Sequence, residues 1–89
     1  MSILAFAAVS FAFFQTASAD FAAREATRLD TCIARIDVDP EEAYEDALAW
    51  SFEGNRPGSR QCVALSLIAL GQEAEGAARL EELANATDG

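Results

Sequence analysis

Eighty-nine residues carry fifteen acids, six arginines, no lysine and no histidine, a net charge of −9 on at most one small domain. That charge repels phosphate backbones and anionic headgroups, so it argues against nucleic acid and an anionic lipid surface as partners. Two cysteines without a histidine leave too few soft ligands for a four-coordinate zinc site.

The first nineteen residues read as a secretory signal peptide, which implies a periplasmic or secreted location. An apolar run from Ile3 to Phe14 is followed by Ala17-Ser18-Ala19, a small-x-small cleavage site that makes Asp20 the first mature residue. No Lys or Arg precedes the run, so the terminal amine supplies its positive end. The competing reading is a membrane anchor, but the run is well short of the roughly 20 apolar residues that span a bilayer. No stable membrane insertion is expected after cleavage. The mature chain is then a helical domain over residues 20–86 with a frayed end at 87–89.

The spacing predicts a first helix over Asp20–Ile36. Ala22, Ala26, Leu29, Ile33 and Ile36 share one face, and Arg24, Arg28, Asp30 and Arg35 lie off it. Asp39 then caps a second helix, Pro40 suits its first position, and Glu42 completes a capping box. A calcium loop is excluded here, because Glu42 and Leu48 stand where an EF-hand needs Gly and Glu. The second helix runs to about Phe52, with Ala43, Tyr44, Ala47, Leu48 and Trp50 facing inward. Glu41, Glu42, Glu45 and Asp46 form a solvated acidic face that suits the positive end of the helix dipole.

Gly54-Asn55-Arg56-Pro57-Gly58 is a breaker cluster. Either Pro57 opens the third helix or Ser59 caps it. That helix runs to Leu70, with Val63, Ala64, Leu67, Ile68 and Leu70 on its apolar stripe, and Gly71 ends it. The fourth helix covers Gln72–Ala86, with Ala77, Leu80, Leu83 and Ala84 inward. Gly76, near its start, costs about 1 kcal/mol against Ala in a helix interior but permits close helix approach.

Cys32 and Cys62 both follow the cleavage site. An even count in an exported chain favours a disulfide; the alternative is a pair of buried free thiols. A core this small gains much from a staple.

Setting Val38 against Gly71 aligns the two helical pairs with a period of 33 residues. On that register Ala43 matches Gly76, Ala47 matches Leu80, and Trp50 matches Leu83. Ala64, Leu67, the glycine Gly71 that ends its helix, and Leu80 stand at recurrent positions of the tetratricopeptide repeat. The chain therefore resembles small exported bacterial tetratricopeptide-repeat proteins over nearly all of its mature length. Gly76 and Glu73 depart from the usual Ala and aromatic, and the closing Pro is absent.

The resemblance implies an all-α short solenoid of about four helices, with repeat one near 20–53 and repeat two near 57–86. Its packing core would hold Leu29, Ile33, Ala43, Ala47, Trp50, Ala64, Leu67, Gly71, Leu80 and Leu83. It also places Cys32 and Cys62 on neighbouring first helices and buries Trp50 between the repeats.

The implied function is a scaffold whose groove receives a protein or peptide, with no cofactor and no reaction. The competing function is a structural subunit that self-associates through its open end, or a fragment of a longer repeat protein. Leu80 and Leu83, with Ala74, Ala77, Ala78 and Ala84 around them, have no fifth helix to cover them. A homo-oligomer or a partner helix is expected there.

Overall fold

Four α-helices and no strand form the described part of the computed structural model, which gives secondary structure for residues 2–54 and 56–88 and side-chain surroundings for 18–54 and 56–86. They are α1 (Ser2–Val38), α2 (Pro40–Ser51), α3 (Pro57–Ala69) and α4 (Glu73–Asp88). The molecule measures 62 × 29 × 19 Å. Its long axis reflects α1, whose 37 residues at about 1.5 Å each span about 55 Å.

The first helix departs most from its predicted bounds. It begins at Ser2 and runs unbroken through Ala19 and Asp20. The physical reason is local: no Gly or Pro interrupts residues 2–38, and the junction is rich in alanine. The side chains of the apolar run lie outside the described residues. The fourth helix continues through Asp88, two residues beyond its predicted end, and Gly89 lies outside the described residues.

The punctuation between helices is chemically specific. Asp39 is the N-cap of α2, and its side chain accepts from Glu42 N–H at 3.1 Å. The return half of the capping box is not made. Asp39 N–H donates instead to the Arg35 carbonyl at 2.8 Å, and the Glu42 carboxylate accepts from Arg35. Pro57 opens α3 behind the N-cap Arg56, while Ser59 is buried with its hydroxyl donating to Arg56 O at 2.8 Å. That settles the choice left open by the breaker cluster. At the end of α3, Gly71 takes φ 90°, with Gly71 N–H on Ile68 O and Gln72 N–H on Leu67 O. This is a Schellman closure, which explains why glycine stands there. Gly71 is accordingly exposed at a turn and is not a packing residue.

α3 is the centre of the packing. It contacts α1, α2 and α4; α1 also contacts α2, and among the described residues α4 approaches α3 alone. Cys32, Ala47, Cys62, Val63 and Leu67 form the buried cluster, with Leu29, Ile36, Tyr44 and Leu48 packed on it. Ala43, Trp50 and Ala64 are also buried, whereas Ile33, Leu80 and Leu83 are half-buried. Ala22, Ala26, Ala77 and Ala84, expected inward, are exposed. The helix ends reproduce the 33-residue recurrence: α2 begins at Pro40 and α4 at Glu73. The equivalent first-turn bonds, Ala43 N–H to Asp39 O and Gly76 N–H to Gln72 O, are both 3.0 Å long.

Two close approaches fix the helix spacing. A Cβ on Gly76 would lie 2.6 Å from the Ala64 carbonyl oxygen and 2.6 Å from Ile68 Cγ1. Glycine there is what lets α4 reach the backbone of α3. Cys32 and Cys62 stand at disulfide distance, with sulfurs 2.00 Å and Cα atoms 6.3 Å apart, tying α1 to α3.

Candidate interaction groove

α1 and α3 lie side by side and leave an open groove of about 420 Å³ between them. Phe21, Ala22, Ala26 and Leu29 line it from α1, and Pro57 and Gly58 from α3. The small residues come from the helical repeat of alanine along α1 and from the tight start of α3. Phe21 stays 46% exposed, a large aromatic surface left to solvent.

Arg56 organises the rim. Its guanidinium lies 5.3 Å over the Phe21 ring, its Nε donates to Glu25 Oε1 at 2.5 Å, and its Nη1 donates to the Glu53 carbonyl at 3.1 Å. One side chain thus joins the cap of α3, the end of α2 and the exposed turn of α1. The groove offers apolar contact flanked by an ion pair and by Gln61, a lining suited to an apolar peptide face.

Beneath the groove, Trp50 is 2% exposed. It lies between the two helical pairs, as expected, and its neighbour in the second pair is α3, because α4 approaches α3 alone among the described residues. A Cβ on Gly58 would sit 2.8 Å from Trp50 Cη2, so the indole lies under the start of α3. Arg28 covers its other side at 4.8 Å from the ring centroid. Arg28 also donates to both Glu53 carboxylate oxygens, at 2.9 and 2.8 Å. Those hydrogen bonds hold the Glu53 carboxyl below the usual carboxylate range.

Charge spacing alone gives no sign of this role for Arg28, which falls off the apolar stripe of its helix. The discoverable signal is its position four residues before Cys32. Trp50 Nε1 and Ser66 Oγ are buried without a protein partner. Ser59, Cys62 and Ser66, all at 0% exposure, share one face of α3 and let it sit close to its neighbours.

A second depression, of about 190 Å³, lies over α3 on the side of α2 and α4. Leu48, Ser51, Arg60, Val63, Arg79 and Glu82 line it. Charge is segregated between helices. Asp39 to Glu53 holds six acids and no base, α4 five acids and Arg79, and α3 with its cap two arginines and no acid. Ala19 and Asp20 are exposed on α1, at the start of the groove. Among the described residues no helix is long and apolar enough to cross a membrane. Comparison with known protein families, curated proteins and solved structures finds no match to this chain.

Proposed function

We propose that this chain is an exported, non-catalytic helical-repeat module of the tetratricopeptide type that binds a peptide or helix of another protein. The observation that carries the reading is the open apolar groove between α1 and α3, with Phe21 exposed at its mouth. The stacking order supports the repeat type: α3 touches every other helix, and α2 and α4 start 33 residues apart. The Cys32–Cys62 pairing supports an oxidising compartment. Cleavage between Ala19 and Asp20 would leave Phe21 next to a new amino terminus at the edge of the groove.

The test is site-specific photocrosslinking in the compartment that holds the protein. A crosslinker at Ala22 should trap one defined protein, and Ala26→Glu should abolish the trap without changing helical content. A crosslinker at Asp30, off the groove, should trap none. Equal trapping from Ala22 and Asp30, or indifference to Ala26→Glu, would rule out the groove as the binding site.

A further inference from the structure

The first helical pair seats α3 on an apolar pattern that the second pair repeats. Beneath α3, the first pair buries Cys32, Ala47 and Trp50, at 8%, 0% and 2% exposure. Their counterparts 33 residues on are Leu65, Leu80 and Leu83, all half-buried. Ala69 and Ala77, counterparts of the half-buried Ile36 and Tyr44, are exposed. The outer face of α3 and α4 is therefore apolar at each of these places, with leucine at the three that lie deepest beneath α3.

The other end of the stack is different. Asp30 and Thr31 are exposed where the second pair has the buried Val63 and Ala64. A buried carboxylate there would have to be paired or neutralised, so the stack is built to accept a helix at one end only.

One exchange within the repeat says what kind of helix. Leu48 packs on the core and lines the second depression together with Arg60 of α3. The counterpart of Leu48 is Glu81, which is exposed. A helix seated on α3 and α4 as α3 is seated on α1 and α2 brings its own residue at the place of Arg60 beside that carboxylate. α3, the chain's own occupant of such a seat, has two arginines with its cap and no acid.

We propose that the face formed by α3 and α4 receives a cationic amphipathic helix of a partner protein, seated in the manner of α3, with Lys or Arg opposite Glu81. Its length would match the 13 residues of α3. Charge complementarity favours a partner over a second copy, because α1, α2 and α4 are each acidic on balance and α3 is already seated on α1 and α2.

The probe is a fluorescent peptide with the sequence of residues 56–70 carrying Cys62→Ala, titrated by anisotropy against the full chain with its disulfide intact. Saturable binding is expected. Glu81→Lys in the protein should weaken it by about tenfold, and the peptide with Arg60→Glu should bind that variant better than it binds the unaltered protein. Ala26→Glu, in the α1–α3 groove, should leave binding unchanged, which separates this proposal from the groove. Three results would overturn it: no saturable binding, indifference to Glu81→Lys, or loss of binding on Ala26→Glu. Sedimentation showing self-association that Ala69→Glu abolishes would also overturn it, by giving the face to a second copy.

Discussion

At the scale of single residues, Gly76 is where two effects of opposite sign can be weighed. Alanine would gain about 1 kcal/mol of helix propensity over glycine. Its Cβ would meet a backbone oxygen and a side-chain carbon at 2.6 Å, and the backbone of α3 cannot move aside cheaply. Overpacking of this kind costs about 1–3 kcal/mol, so the steric term wins. Gly76→Ala should lower the urea midpoint with little change in slope; a raised midpoint would show that α4 stands farther from α3. The glycine was legible in the sequence as a point of close approach, but the atoms it approaches were not, because they lie on another helix. Arg28 was illegible for a related reason. Its charge marks it as solvated, yet its guanidinium caps the Trp50 ring and holds both oxygens of Glu53.

At the scale of elements, stability turns on how α1 is tied to α3. The cysteines are 30 residues apart in sequence and join helices that are not consecutive along the chain. Closing a loop of that length contributes about 3–4 kcal/mol through the unfolded chain, which is large against the stability of so small a domain. Replacing both cysteines, as Cys32→Ser with Cys62→Ser, should lower unfolding free energy by about that amount. Unchanged stability in the double variant would mean that closing this loop adds no net stability. Helix ends signalled by local chemistry were legible: Asp39 with Pro40, and Gly71. The start of α1 was not, because Ala17 to Phe21 contains no residue that stops a helix. Ser59 was ambiguous because serine serves both caps and small buried contacts, and its burial against neighbouring helices cannot be seen along the chain.

At the scale of the whole molecule, the helices form an open stack, with α3 touching the other three and α4 touching α3 alone among the described residues. The all-helical class and the 33-residue recurrence were legible because they follow from apolar spacing and turn chemistry. The inward sides of Ala77 and Ala84 were misassigned, since alanine is equally at home on either face of a helix. Charge is segregated as well, with arginine-bearing α3 packed among helices that are acidic on balance. Both proposed interactions depend on the stack staying open. The most direct measurement is a set of interhelical nuclear Overhauser contacts in the oxidised protein in solution. The open stack predicts contacts from Gly76 to Ile68 and from the Trp50 indole to Gly58, with none from the Leu80 methyls to Trp50 or to α1. Contacts from α4 to α1 would mean a closed four-helix bundle and would contradict the account.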